Sequence, residues 1–93
     1  MREKEIEQSL VKAVKQKGGI ALKLVSPNMN GIPDRLVLLP DGKIAFCELK
    51  APGRKMRPLQ VMQKRKLESL GFSVYCIDNP TQIGGVLDEI LSA

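Results

Sequence analysis

The sequence predicts an α/β domain with a mixed central sheet flanked by helices, in the order helix, three strands, helix, strand, helix. Three observations predict it. Apolar residues recur at helical steps in separate segments, short apolar runs rich in branched side chains stand between those segments, and Asp41-Gly42 joins two of the runs as a tight hairpin turn does.

From Glu3 to Lys17, Ile6, Leu10, Ala13 and Val14 fall at three- and four-residue steps and make one stripe on an amphipathic helix, which Gly18 and Gly19 stop. The run IALKLV (20–25) reads as a strand closed by the turn signal Ser26-Pro27-Asn28. IPDRLVLL (32–39) and KIAFCEL (43–49) are apolar runs joined by Pro40-Asp41-Gly42, where Asp-Gly supplies the positive φ of a hairpin turn, so they pair antiparallel. Both runs are nearly continuous rather than alternating, which predicts a sheet covered on both faces. APGRKMRP (51–58) is a basic loop of turn formers, and Leu59 to Leu70 has helical spacing with a stop at Gly71. FSVYCI (72–77) reads as the last core strand, and Asp78 or Asn79 can cap a final helix from Pro80 to about Leu91. No repeat, linker or low-complexity stretch divides the chain, so residues 1–93 are expected to form one domain.

At 93 residues a single core is near the size at which stability becomes marginal, and a partner subunit would help. With 43% hydrophobic and 27% charged residues the chain is not a disordered tail. Fifteen Lys and Arg against ten Asp and Glu give a net charge of +5, which favours a polyanionic partner but equally describes a solvated surface. Cys47 and Cys76 lie in apolar runs without CxxC spacing, and the chain has no His, so both are expected as buried thiols rather than zinc ligands or a redox pair. No leader-like segment and no apolar run of membrane-spanning length is present, so no membrane partner and a cytoplasmic location are expected.

The informative residues are Pro33-Asp34, opening one hairpin strand, and Glu48-Leu49-Lys50, closing its mate. A hairpin lays the start of its first strand beside the end of its second, so Asp34 and Glu48 become neighbours. Glu48 and Lys50 are two apart and leave the same face, while Leu49 points into packing. Two carboxylates this close repel when ionised, and a hard divalent cation such as Mg2+ or Mn2+ relieves that repulsion. Such a cation could polarise a scissile phosphate while Lys50 orients water or neutralises developing charge, and the Leu49 carbonyl could join the ligand set. The plainer alternative is a strand-end ion pair, but an apolar strand that ends abruptly in charge is costly unless something compensates it.

Taken in series, EKEIEQSLVKAVKQKGG, LKLVSPNMNGIPDRLVLLPDGKIAFCELKAPG and PLQVMQKRKLESLGFSVYCID resemble the VRR-NUC (virus-type replication-repair) nucleases of the PD-(D/E)xK superfamily over nearly the whole chain. The resemblance implies a restriction-endonuclease-like fold and a metal-dependent DNA endonuclease with Asp34, Glu48 and Lys50 at its centre, a first-helix glutamate and Gln60. Stand-alone members look like Holliday-junction resolvases and act as homodimers on branched DNA, which implies those partners here and, by the family's distribution, a phage context in a host cytoplasm. In such resolvases the helix glutamate stands eleven residues before a glycine; Glu7 stands so before Gly18 and is the expected helix carboxylate and metal ligand, with Glu3, one turn earlier, left open. Gln60 could meet water or a phosphate, or be a solvent-facing amide.

Lys23, Ser26, Arg35, Arg54, Lys55 and Arg57 are the expected nucleic-acid contacts, bordering the site on strand and loops. Arg35 follows Asp34 directly, so it faces the other side and could instead serve packing or a dimer contact. Phe46, Phe72 and Tyr75 all fall in strand-like runs, which leaves no platform for base stacking. Two rivals stay open: a module of the same fold that binds nucleic acid without cutting it, and an accessory protein whose basic surface meets RNA or an acidic partner.

Overall fold

The computed structural model describes residues 1–93. The elements follow the predicted order: α1 (Glu3–Gln16), β1 (Ile20–Lys23), β2 (Arg35–Leu39), β3 (Lys43–Leu49), α2 (Pro58–Ser69), β4 (Val74–Ile77) and α3 (Ile83–Ser92). The four strands form one sheet in sequence order, antiparallel from β1 to β3 and parallel between β3 and β4. α2 is the crossover that the parallel pair requires.

The β2–β3 connection is a tight turn at Pro40–Gly42, with Asp41 at φ 65° and Gly42 at φ 72°, the two positive values that the Asp-Gly pair predicts. Asn79 makes the expected cap by accepting a hydrogen bond from the Thr81 amide, although the chain passes through a 3-10 turn at Pro80–Gln82 before α3 begins. β1, β2 and β4 are each shorter than their apolar runs, because pairing partners run out before side-chain character does.

The sheet's two faces are unequal. One carries Ala21, Val37, Leu39, Ala45, Cys47, Leu49 and Ile77 against Ile6, Leu10 and Val14 of α1 and Ile83, Leu87 and Ile90 of α3. This is the core, and burying each large aliphatic there contributes roughly 1.5–3 kcal/mol. The opposite face carries the cross-strand rows Ile20–Leu38–Ile44 and Leu22–Leu36–Phe46–Val74. Only α2 lies over it, packed against β4, and Ile20, Leu22 and Ile44 stay exposed. The expectation of a sheet covered on both faces is therefore corrected: a 12-residue crossover helix spans the β3–β4 half and leaves the β1–β2 half bare.

Two side chains also differ from expectation. Cys47 is buried, and burial pushes its thiol up to about 12, but Cys76 is exposed, because alternation from the buried Ile77 turns it to the thinly covered face. Phe72 precedes β4 and is partly exposed, meeting Phe46 edge to face at 5.9 Å between ring centroids.

Candidate active site

The hairpin does what its sequence spacing requires. Arg35 pairs with Cys47, so Asp34 stands opposite Glu48. The Asp34 carbonyl accepts a hydrogen bond from the Leu24 amide at 2.9 Å, and its Oδ2 accepts one from the Leu49 amide at 2.8 Å. One residue thus ties three strands together at the open end of the hairpin. Leu49 sends its side chain into the core and leaves its backbone at the site. The Lys50 amide donates to the Ile77 carbonyl at 2.9 Å, which extends the parallel pairing one step and fixes where the lysine departs.

A cleft of about 430 Å3 opens there, lined by Asp34, Glu48, Lys50 and Gln60, by Ala51, Arg54, Lys55 and Arg57 of the basic loop, and by Glu3 of α1. A second hollow of about 420 Å3 shares Arg57 and Gln60 with it and runs along Asn30, Gly31 and the first turn of α2. That extension exists because the 24–34 loop lies against α2: Gln63 Nε2 donates to the Asn30 carbonyl at 3.2 Å, and Gly31 sits at φ +79° where a Cβ would come within 2.7 Å of Leu59 Cγ.

Glu48 is the anomalous group. It is 1% exposed, and its Oε2 has no hydrogen-bond partner. Burial first, then the hydrogen bond and negative charge of Asp34, push its carboxyl up to about 8, with Glu3 adding to the rise and the Lys50 ammonium opposing it. Gln60 is also buried, and its Oε1 accepts a hydrogen bond from the Arg57 amide at 2.8 Å, so the same side chain caps α2 and lines the cleft. The solvent-facing alternative for Gln60 does not hold.

Of the expected site residues, Asp34, Glu48, Lys50, Gln60, Arg54, Lys55 and Arg57 come together, with the Leu49 backbone beside them. Glu7, Arg35, Lys23 and Ser26 do not line the cleft. Arg35 points to the α1 side, where its Nε donates to Glu7 Oε2 at 2.8 Å and a terminal nitrogen to the Ala21 carbonyl at 3.0 Å. Lys23 is its cross-strand neighbour on that same face, and Ser26 is half-buried in the loop after β1. Of the two candidates for the helix carboxylate, Glu7 is engaged by Arg35, and Glu3, one turn earlier, borders the cleft. The glycine-counting register could not reveal this, since both glutamates lie on one helix face; the basic residue directly after Asp34 was the available signal.

No three acidic, Cys or His side chains converge closely enough to form a complete protein cage for a metal ion. The donor set nevertheless fits Mg2+ or Mn2+, which take hard oxygen ligands and commonly use one or two carboxylates with water and substrate phosphate filling the rest. An orphaned buried carboxylate oxygen beside a second carboxylate is the observation that carries this fit.

Comparison with known proteins bears on the family and the fold. No family model matches the chain. A protein of Acyrthosiphon pisum secondary endosymbiont phage 1, provisionally named nuclease p44, is 51% identical over 79 residues, which cover 85% of each chain. A solved structure described as a VRR_NUC domain superposes with a TM-score of 0.86 at 26% identity, covering 92% of this chain and 94% of that one.

Proposed function

We propose, from the premise that this chain belongs to the VRR-NUC family of nucleases, that it is a divalent-metal-dependent endonuclease that hydrolyses phosphodiester bonds in DNA. The observation that carries the reading is the juxtaposition of Asp34, the buried and unpartnered Glu48 and Lys50 in one cleft bordered by basic residues.

Asp34 and Glu48 would hold the cation, with water, substrate phosphate and the Leu49 carbonyl as candidates for the rest of its shell and Glu3 bordering the same cleft. When bound, Mg2+ or Mn2+ supplies Lewis-acid polarisation of the scissile phosphate. The chain's own groups do the rest. Lys50 orients the attacking water and offsets negative charge growing on the phosphate oxygens. Water's oxygen bonds to phosphorus as the ester bond to the leaving sugar oxygen breaks, and that oxygen takes up a proton. Gln60, fixed by its capping bond to Arg57, presents its amide nitrogen to a phosphate or water. Arg54, Lys55 and Arg57 hold the backbone on either side of the cut, a mode of contact that positions DNA without reading its sequence.

The lack of an aromatic platform and of a recognition helix favours selection by DNA shape, and the family resemblance makes branched DNA, Holliday junctions among it, the substrate of choice. A homodimer suits that substrate, since a two-fold pair presents two clefts to opposing strands. No helix is long and apolar enough to cross a membrane, which fits action in the cytoplasm, a host's if the chain is phage-encoded. The test is cleavage of a panel of four-way junction, flap, fork and linear DNAs in Mg2+ and in Mn2+. Cutting must be lost in chelator and in Lys50→Ala and Glu48→Gln proteins that still bind DNA; metal-dependent cutting by those variants would sink the assignment, and equal cutting of every substrate would remove the branched-DNA part of it.

A further inference from the structure

Two hollows meet at Arg57 and Gln60, and only the first holds the carboxylates of the proposed cut. Glu3, Asp34 and Glu48 line the first; no acid lines the second, whose one charged side chain is Arg57. The second, about 420 Å3, has the size of a small-ligand site and a mostly apolar wall at Pro58 and the exposed Leu59. Its uncharged polar side chains have bonding capacity to spare. Asn30 is held by its carbonyl, which accepts from Gln63 Nε2 at 3.2 Å, and its exposed side-chain amide has no partner. Gln60 is 5% exposed, yet only its Oε1 is used, by the Arg57 amide, and its Nε2 bonds to nothing in the chain. A side chain buried to that degree normally has its donors satisfied, so the free one points to a ligand where the hollows join.

We propose that the second hollow receives the base of the nucleotide next to the scissile phosphate, swung out of its stack, with Asn30 as a positioning contact to its edge. The proposal rests on reading the first cleft as the site of phosphodiester hydrolysis. A strand whose scissile phosphate lies at Asp34, Glu48 and Lys50 has to continue out of that cleft, and the shared Arg57 and Gln60 make the second hollow its continuation on one side. Arg57 then meets the phosphate between the two, and no acid beyond it repels the strand. A base that stays paired keeps its faces in the stack and its edge against its partner, so only an extruded one can enter a pocket. Pro58 and Leu59 would cover its faces, as aliphatic groups do where aromatic ones are lacking. The Asn30 amide offers a donor and an acceptor side by side, which suits the edge of any base.

The hollow thereby gives the choice of substrate a physical origin. Extrusion is costly from a sound duplex and cheapest where a base is already mismatched or unpaired, as beside a branch. Cutting is faster there because the nucleotide reaches the hollow at lower cost, and no residue has to read the sequence.

Two measurements test it. 2-Aminopurine, which brightens on leaving the stack, is placed at one position at a time near the branch of a four-way junction and titrated with Lys50→Ala protein, binding being followed by the anisotropy of a distant dye. Brightening is expected at the nucleotide beside the cut that the wild-type protein makes. In the second, linear duplexes with and without a mismatch at that nucleotide are cut in Mg2+. The wild-type chain is expected to favour the mismatch by about tenfold in kcat/KM, and the double substitution Asn30→Ala with Leu59→Ala to reduce that preference to about threefold or less. Both positions are exposed, so circular dichroism should show the fold retained, and a merely structural defect would slow both duplexes alike and leave the ratio unmoved. DNA bound without brightening at any position overturns the proposal, as does an undiminished mismatch preference in the folded double variant. Brightening needs no cleavage, so a chain that binds and brightens the probe but cuts no DNA sinks the nuclease reading and leaves the base-binding hollow standing.

Discussion

Glu7 and Arg35 lie 28 residues apart in sequence and meet at 2.8 Å, linking the middle of α1 to the residue that follows Asp34. Both side chains are about four-fifths buried, so the pair is protected from the screening that makes exposed ion pairs nearly worthless. Arg35→Ala is expected to destabilise the fold by about 1–3 kcal/mol, because it strands a part-buried carboxylate and frees the Ala21 carbonyl. Urea unfolding measures this. If Glu7 is a clamp and not a metal ligand, Glu7→Gln will leave Mg2+ affinity within about threefold of wild type by calorimetry, whereas Glu3→Gln will weaken it more.

Glu48 gives the site a pH signature. Its folded value, about 8, lies above the ordinary 4.5, so the neutral form is the one the apoprotein accommodates. Its contribution to stability is fully present below pH 4.5 and is lost as pH rises through 8. Thermal melts without metal should therefore show stability declining between about pH 5 and pH 8, and Glu48→Gln should flatten that decline. A divalent cation competes with the proton, so apparent Mg2+ affinity should climb by up to about tenfold per pH unit up to pH 8 and then level off. Affinity independent of pH over that range would mean that the cation does not use this carboxylate.

Gly31 sets the floor of the second hollow. An alanine there would adopt an unfavourable positive φ and drive its methyl against Leu59 at the first turn of α2. Gly31→Ala is expected to cost about 1–3 kcal/mol and to shift the 24–34 loop away from Gln60. Chemical denaturation gives the first number, and amide exchange at Asn30 and Leu59 reports the second.

Much of this was legible in the sequence, and the exceptions have physical reasons. Helical and strand patterning located every element, and the Asp41-Gly42 turn put Asp34 opposite Glu48 because hairpin register follows from turn geometry. Alternation put Glu48 and Lys50 on one face and Leu49 in the core. Coverage of the second face was not legible, since an apolar strand reads the same whether its outer side meets a helix or is left open, as Leu22 and Ile44 are. Glu3 and Glu7 were not separable either, because one helical turn keeps both on a common stripe and only the partner chosen by Arg35 distinguishes them. Gln60 gave no hint of burial, since a first-turn amide can face either way.

The basic loop should act through charge rather than shape. Arg54, Lys55 and Arg57 border the cleft and are exposed, with no acidic partner holding them. Replacing any one with Gln should weaken DNA binding about equally for different sequences and reduce the slope of log affinity against log salt by about 1, leaving the folding stability nearly unchanged. Fluorescence anisotropy at several salt concentrations reads both quantities. An unchanged slope for all three would place the DNA path elsewhere.

The bond from the Leu49 amide to the Asp34 carboxylate also constrains how relatives of this chain can vary in length. Residues can be gained or lost at the hairpin's tip, beyond Leu39 and before Lys43, without disturbing the strands on either side. A single residue inserted inside either strand would turn everything beyond it over, sending the acid toward the α1–α3 core and the leucine toward the cleft. What a search for distant kin should hold fixed is therefore the odd-even parity within each arm of the hairpin, while the count of residues between the two acids is free to drift.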